Sequence, residues 1–180
     1  MKKVALMLAN GFEEIEAIGT YAILSRAGLQ VDIYALSDED TTGRFGLTCT
    51  KLNKFASFDG TIYDALVLPG GPGYKVLQNN PRLQQLIKEF IDGGKVVAAI
   101  CASPTILGHQ GYLKGKNYTC FTAMDENFGG HFTGEYAAAD GNIITGQSAA
   151  ATIDFAFAIA EKLLGKEKVD QVKKSIYYKK

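Results

Sequence analysis

Short apolar runs alternate with helical patterns along the whole chain. Runs rich in Val, Leu, Ile and Ala predict strands at Val4–Ala9, Val31–Leu36, Leu47–Leu52, Ala65–Leu68, Val96–Ile100 and Asn142–Thr145, with the weakest pattern at Leu47–Leu52. Apolar residues at helical spacing predict helices over Glu13–Ala27, from Pro81 to Gly93-Gly94, over Ala149–Leu164 and over Lys166–Lys174. Strands that alternate with helices in this way form parallel sheets covered on both faces, so we expect an α/β fold.

Two stretches between these elements lack a regular pattern. Residues Asp38–Gly46 are polar and predict a loop. The stretch Thr119–Tyr136 is rich in Gly, Asn and aromatic residues, and we predict that it is irregular.

The composition excludes several classes of protein. The 180 residues include 19 basic and 19 acidic side chains, so the formal net charge is zero, and 47% of residues are hydrophobic. An apolar, neutral chain of this length is unlike a disordered segment or a nucleic-acid binder, and it predicts one domain over residues 1–180. Three cysteines are too few for a disulfide framework. With no apolar run that could span a bilayer, we expect a cytoplasmic protein with reduced thiols that binds neither membrane nor nucleic acid.

Ligands of open α/β sheets bind beyond the carboxyl ends of the strands, so the residues that follow each strand are the candidates for chemistry. Glu13, Glu14 and Glu16 follow the first strand. Acids at a helix N-terminus are explained by the helix dipole, which suffices for Glu13 and Glu14. Glu16 lies at the edge of the apolar side that contains Ile15 and Ile18, so either a solvated or a buried functional role is open for it.

The strand ending at Leu68 is followed by Pro69-Gly70-Gly71-Pro72-Gly73. Such a turn exposes backbone amides that can hold an anion or an oxyanion, although Gly70 and Gly71 can also be turn residues only. The third glycine of a dinucleotide fingerprint is absent, because Val76 stands at its position.

Cys101 lies between a buried strand and a helical pattern, as the nucleophile of a strand–turn–helix elbow does. A thiol at a helix N-terminus has a lowered pKa, so we expect a reactive thiolate, with a buried structural cysteine as the alternative. Cys49 and Cys120 lack these surroundings and are interpreted as small hydrophobic residues.

The two histidines are weaker candidates. His109 lies about two turns along the helix after Cys101, out of reach of the thiol. His131 lies in the irregular stretch and is a possible additional site residue, though a structural or exposed role is more common.

Three motifs together resemble the ThiJ/PfpI superfamily, in the branch of the Parkinson-disease-associated protein deglycase and its YajL-like relatives. They are Ala9–Glu16 (ANGFEEIE), Val67–Gly71 (VLPGG) and Ala98–Pro104 (AAICASP), and the segment Asp154–Ile159 is similar to the late helix of the family. The resemblance implies a flavodoxin-like three-layer sandwich with a mainly parallel central sheet. It also implies a homodimer, with Ile15, Ile18 and Arg26 of the first helix as candidate contacts.

The resemblance assigns roles to several residues. It implies that Cys101 is an easily oxidised nucleophile, that Glu16 hydrogen-bonds its sulfur as a protonated carboxyl, and that Gly71 and Ala102 supply backbone donors. Two positions depart from family patterns. Ala102 stands where a protease-like branch has a histidine, which removes the main support for a cysteine protease, and Phe121 matches the position of a histidine in the human-type branch.

The first hypothesis for function is a cofactor-independent enzyme of the glyoxalase or protein deglycase type. Its substrates would be small α-oxoaldehydes such as methylglyoxal or their adducts, with Cys101 as nucleophile, Glu16 as proton carrier and Gly70, Gly71 and Ala102 around the oxyanion. No metal is expected. The second hypothesis is a non-enzymatic oxidative-stress sensor or redox-regulated chaperone that acts through oxidation of Cys101. A non-catalytic binding module with the same fold is the third.

Overall fold

A seven-stranded sheet forms the centre of the molecule. The computed structural model describes residues 1–37 and 40–179, and the strands of this sheet have the spatial order β10-β11-β7-β6-β1-β2-β5. All neighbouring pairs are parallel except β10 with β11. The strands of the sheet are β1 (Lys3–Leu8), β2 (Gln30–Ala35), β5 (Asn53–Lys54), β6 (Ala65–Leu68), β7 (Val96–Ile100), β10 (Ala137–Asp140) and β11 (Ile143–Gly146).

Two short strand pairs lie outside this sheet. They are the antiparallel pair β3 (Thr41–Thr42) and β4 (Thr48–Cys49), and the parallel pair β8 (Asn117–Tyr118) and β9 (His131–Phe132). The helices are α1 (Thr20–Arg26), α2 (Tyr74–Gln78), α3 (Pro81–Asp92), α4 (Pro104–His109), α5 (Thr152–Leu164) and α6 (Lys166–Ser175).

Helices cover both faces of the sheet, each over its own apolar core. One core packs Leu24 of α1, Phe155 of α5 and Val169 of α6 against the sheet, and the other contains residues of α2, α3 and α4. Alternate residues of β1 enter the two cores, so this strand is buried on both faces, as central parallel strands are. The arrangement is the flavodoxin-like three-layer sandwich that the family resemblance implied.

The positions of the long helices were predicted well, because a long helix repeats its apolar spacing over several turns. The helix expected from Pro81 runs from Pro81 to Asp92, and the Asn80 side chain caps it by accepting the Leu83 N–H at 3.0 Å. The late helix is confirmed as α5, preceded by a 3₁₀ turn over Ala149–Ala151.

Several short elements differ from the prediction. The strand expected over Leu47–Leu52 is wrong, since only Thr48–Cys49 forms a strand there and it pairs with β3 rather than with the main sheet. The antiparallel edge strand β10 has the sequence Ala-Ala-Ala-Asp and was not predicted, because alanine carries almost no strand preference. The loop predicted from Asp38 begins on Asp38 and Glu39, which lie outside the described residues.

The stretch Thr119–Tyr136 is irregular over most of its length, as predicted, with a 3₁₀ turn at Thr122–Met124 and the two residues of β9. Within the described part of the chain, no helix is long and apolar enough to cross a membrane.

The strand order places a crevice at one edge of the sheet. β1 lies between β2 and β6, so the connections from β1 and from β6 leave on opposite sides of the sheet. At such a switch point the loops diverge and leave room for a ligand at the carboxyl ends of the strands. The segments after β1, β6 and β7 therefore meet above three adjacent strands.

Candidate active site

Cys101 directly follows β7 and has a strained backbone. Its φ angle is 64°, in the left-handed region that residues with a side chain rarely adopt. The Cys101 N–H donates to the Gly146 carbonyl at 2.9 Å, and the Cys101 carbonyl accepts the Phe121 N–H at 2.8 Å. The buried Ser103 hydroxyl closes the turn by donating to the Pro69 carbonyl at 2.6 Å. Neighbouring strands and loops thus hold the Cys101 backbone in a conformation that is unfavourable in an unconstrained chain.

Glu16 is carried toward this thiol by a π-helical turn. The turn spans Ile15–Gly19 and leads directly into α1. Its wider winding changes which residues face the core, so Glu16 and Ala17 are buried whereas Ile15 is 58% exposed. The apolar side predicted from Ile15, Ile18, Ala22 and Leu24 is therefore partly wrong, since Ile15 and Ala22 face outward. An ideal period of 3.6 residues does not anticipate the extra residue of a π turn.

The Glu16 carboxyl has defined partners. Oε2 accepts the Gly70 N–H at 2.9 Å, and the carboxyl is hydrogen-bonded to the Cys101 thiol. Oε1 is buried without a hydrogen-bond partner. The Glu16 N–H donates to Glu13 Oε2 at 2.9 Å, so Glu13 holds the turn that carries Glu16. A buried carboxyl with one unpaired oxygen favours its protonated form.

The electrostatics of the pair contradict the lowered cysteine pKa predicted from the sequence. Burial raises the pKa of Glu16 to about 7, and burial together with the nearby Glu16 raises the pKa of the Cys101 thiol to about 12. The helix after Cys101 begins only at Pro104 and has six residues, which gives it little dipole to offset burial. A negative charge on either Glu16 or Cys101 disfavours a second charge on the other, so the two groups share one proton over a wide pH range. Cys101 is a thiolate in the state in which Glu16 holds that proton.

Two backbone amides face the sulfur. The N–H groups of Gly71 and Ala102 hydrogen-bond the Cys101 thiol and favour its ionised form. Gly71 has a φ of 79°, and a Cβ on it would lie 2.5 Å from the Glu13 nitrogen, so glycine is required there. The Gly70 amide, which the sequence grouped with the oxyanion donors, is instead taken by Glu16.

A cavity of about 200 Å³ opens above the thiol. It is lined by Arg44, Gly71, Pro72, Tyr74, Cys101, Ala102, Phe121 and Met124. His131 is not among these residues and is exposed on β9. His109 lies 2.8 Å from Glu126 through its Nε2 atom and contacts the Phe128 ring edge-to-face. Neither histidine was brought to the thiol.

Three residues of the cavity were missed by sequence reasoning. Arg44 lies in the polar loop between β3 and β4. Strands of two residues have no sequence pattern, so the position of this loop beside the thiol could not be deduced from the sequence. Tyr74 directly follows the glycine-rich turn Pro69–Gly73, and this position next to a candidate anion-binding turn could have indicated it as a site residue. Met124 enters through the irregular stretch, where the sequence has no periodic pattern to place it.

The other two cysteines do not line this cavity. Cys120 is fully buried in the apolar core and Cys49 packs at the edge of the opposite one. A roomier hollow of about 460 Å³ lies beside Phe58, Phe90 and Lys95, near the amino end of β7, but no cysteine lines it. Across residues 1–37 and 40–179, no three His, Cys, Asp or Glu side chains converge as a metal site requires.

Comparisons with known proteins show the family and the fold. A family model described as the DJ-1/PfpI family matches residues 2–162. The protein dj-1beta of Drosophila melanogaster is 31% identical over 185 residues, covering 97% of this chain and 96% of the relative. Its crystal structure superimposes with a TM-score of 0.92 at 31% identity over 99% of both chains.

Two further relatives bear names that concern chemistry. A protein named deglycase TK1284, from Thermococcus kodakarensis, is 32% identical over 146 residues, covering 79% of this chain and 88% of the relative. The structure of Toxoplasma gondii DJ-1 in an oxidised form has a TM-score of 0.91 and 27% identity over the whole of both chains.

Proposed function

Because the chain belongs to the DJ-1/PfpI family, we propose that it is a cofactor-independent enzyme that converts small α-oxoaldehydes, or their adducts on proteins, to hydroxy acids. The observation that carries this proposal is the hydrogen-bonded pair of Glu16 and Cys101, buried under a cavity with two amides directed at the sulfur. A soft nucleophile, a proton carrier and backbone donors are the groups that the reaction needs. The deglycase name of one relative supports the same class of reaction.

The reaction begins at the sulfur. The Cys101 thiolate adds to the aldehyde carbon, a C–S bond forms, and the carbonyl electron pair moves to oxygen. The oxygen takes the proton of Glu16, which gives a neutral hemithioacetal. The N–H groups of Gly71 and Ala102 hydrogen-bond the sulfur and stabilise the thiolate. In this proposal they also donate to the oxygen of the adduct as its negative charge develops.

Glu16 then works as a base and as an acid in turn. Its carboxylate removes the hydrogen of the former aldehyde carbon as a proton and returns it to the neighbouring ketone carbon, while the hydroxyl proton moves from the former aldehyde oxygen to the ketone oxygen. The product is a 2-hydroxy thioester on Cys101. Water cleaves the C–S bond of the thioester, and a 2-hydroxy acid leaves while the thiol is restored. The aldehyde carbon is oxidised and the ketone carbon reduced within one molecule, so the net change is the addition of one water.

A carboxyl with a pKa of about 7 suits this double role, because it both gives and takes a proton near neutral pH. This route assigns its proton transfers to Glu16 and none to a histidine, and neither His109 nor His131 lines the cavity. Ala102 follows the nucleophile where a protease-like branch has histidine, so a peptidase is the less favoured activity.

Incubation with methylglyoxal tests the proposal. We expect lactate to form with the wild-type protein, to be lost in Cys101→Ser and to persist in Cys49→Ser, whose side chain is remote from the cavity. Equal lactate production by Cys101→Ser and the wild type would overturn the mechanism.

The second candidate is a sensor of oxidation. It is favoured by the partial exposure of Cys101, in contrast to the full burial of Cys120, and by the Gly71 and Ala102 amides, whose N–H groups would donate to the oxygens of an oxidised sulfur. Should no α-oxoaldehyde be turned over, mass spectrometry after mild peroxide treatment decides. A gain of two oxygens on Cys101 before Cys49 or Cys120 reacts supports the sensor, and uniform oxidation of the three cysteines excludes it.

A further inference from the structure

The cavity above Cys101 has one wall that the proposed chemistry does not use. Phe121, Met124 and Tyr74 line it together, and Phe121 is 45% exposed although it is large and apolar. An exposed apolar surface that adjoins a nucleophile and is bordered by a charged side chain, here Arg44, is typical of a ligand-binding surface. We name Phe121, Met124 and Tyr74 the apolar wall.

The apolar wall is attached to the nucleophile through the backbone. The Phe121 N–H donates to the Cys101 carbonyl at 2.8 Å, so the wall begins at the residue bearing the thiol. The Met124 N–H then donates to the Phe121 carbonyl at 2.8 Å in a tight 3₁₀ turn, which folds Met124 back toward the same cavity. These bonds fix the distance between the wall and the sulfur, so a molecule bound covalently at the sulfur would have its substituent against the wall.

The charges around the cavity agree with an apolar substituent. Arg44 is the one cationic side chain that lines the described cavity, and its guanidinium lies over the Phe45 ring at 4.8 Å. No carboxylate lines the cavity within the described ranges, and Glu16 lies below the thiol. The wall therefore offers mainly dispersion contacts, and the cavity has no carboxylate that could pair with a cationic substituent.

From these contacts we infer that Phe121 is a specificity-determining residue that selects α-oxoaldehydes with a branched aliphatic or aromatic substituent over methylglyoxal. This inference rests on the proposed function for the reaction. Binding of an apolar group by the wall can nevertheless be measured without turnover. The physical reason is that each methylene removed from water by the wall strengthens transition-state binding by about fourfold when burial is complete.

Paired substrates test the inference. We expect kcat/KM for 4-methyl-2-oxopentanal to exceed that for methylglyoxal by about tenfold in the wild type, since burial against the wall is partial. Phe121→Ala should bring the ratio of the two kcat/KM values close to one, while Phe121→Leu should retain most of it. Tyr136→Ala is the matched control, because Tyr136 is 48% exposed and lines a different hollow. An unchanged ratio in Phe121→Ala would overturn the inference.

A second measurement separates the wall from the reaction. Cys101 is alkylated with iodoacetamide and with N-benzyliodoacetamide, and the two rate constants at this cysteine are compared by mass spectrometry. The benzyl reagent should react faster relative to iodoacetamide in the wild type and in Tyr136→Ala than in Phe121→Ala. If no protein turns over an α-oxoaldehyde, the proposed function fails, and the ratio of alkylation rates alone then decides for or against the wall.

Discussion

A carboxyl group that is 1% exposed, as that of Glu16 is, has lost most of the water that would stabilise its charge. Burial raises its pKa to about 7, and the hydrogen bonds that the carboxylate accepts from the Cys101 thiol and the Gly70 N–H only partly oppose this shift. At neutral pH the carboxyl is therefore present in both its protonated and its ionised form, so it can give a proton and can also take one from the adjacent thiol. The same burial that prepares the chemistry also makes folding sensitive to pH.

The sign of that sensitivity follows from the two protonation states. The pKa of Glu16 in the folded protein lies above its ordinary value, so its contribution to stability is complete below about pH 4.5 and is lost as pH rises through about 7. Between those limits the unfolded chain is ionised at this residue while the folded chain keeps its proton.

We therefore predict a pH-dependent effect of Glu16→Gln. The wild type should lose on the order of 3 kcal/mol more stability than the variant between pH 4.5 and pH 8, because Gln has no proton to lose. Urea unfolding at several pH values measures the difference, and Glu167→Gln, a surface carboxyl of α6, is the control. Parallel pH profiles for the wild type and Glu16→Gln would show that Glu16 keeps an ordinary pKa.

At the scale of elements, two irregular segments build the site. The π turn at Ile15–Gly19 directs Glu16 inward, and the glycine turn after β6 approaches it so closely that no side chain fits. A Cβ on Gly70 would lie 2.7 Å from both Glu16 Oε2 and Cys101 Cβ. The turn therefore contains glycine for close approach, and not only for its bend.

Gly71→Ala tests this close approach. Alanine at a φ of 79° costs about 1–2 kcal/mol, and the contacts at 2.5 Å with Glu13 N and at 2.6 Å with Gly11 O add to it. We expect a total loss of about 3 kcal/mol or more in urea unfolding. Gly94→Ala is the matched control, since Gly94 has a φ of 70° and nothing within 4 Å of the added Cβ, and it should lose only the backbone cost. Equal losses in the two variants would exclude a steric role for the Gly71 environment.

At the scale of the whole molecule, one surface remains apolar near the first helix. Ile15, Phe45 and Leu47 are exposed, and the turn bearing Phe45 is held to the first helix by the bond from its N–H to Glu14 Oε1 at 2.7 Å. We propose that this surface, with the half-buried Ile18 and the exposed Arg26, is the contact of a homodimer, as the family resemblance implied.

Sedimentation velocity tests the dimer. We expect the mass of two chains for the wild type and a shift toward one chain in Ile15→Glu, because a buried charge without a partner disfavours association. Ile62→Glu is the control, since Ile62 is 50% exposed at a 3₁₀ turn elsewhere on the chain. A wild-type protein that sediments as one chain, or a dimer unaffected by Ile15→Glu, would contradict this interface.

Long patterns in the sequence predicted most of the sheet and its helices. The strands β1, β2, β6 and β7 and the helices α3 and α5 lie close to their predicted positions, because each has enough apolar residues to show its period. Two-residue strands such as β5, and the alanine-rich edge strand β10, have no such period. They pair with the edge that the other strands of the sheet leave without a neighbour.

The sequence by itself singled out Glu16, Gly71 and Cys101 as candidates for chemistry, since they follow predicted strands and match the motifs of the family that the chain resembles. Only the tertiary structure decided how these candidates are arranged. It buried Glu16 through a π turn, raised rather than lowered the pKa of Cys101, and turned the Gly70 amide to the carboxyl. It also left His131 outside the cavity and brought Arg44, Tyr74, Phe121 and Met124 around the thiol. The physical reason is that pKa values and cavities depend on desolvation and on contacts between distant segments, which no local pattern records.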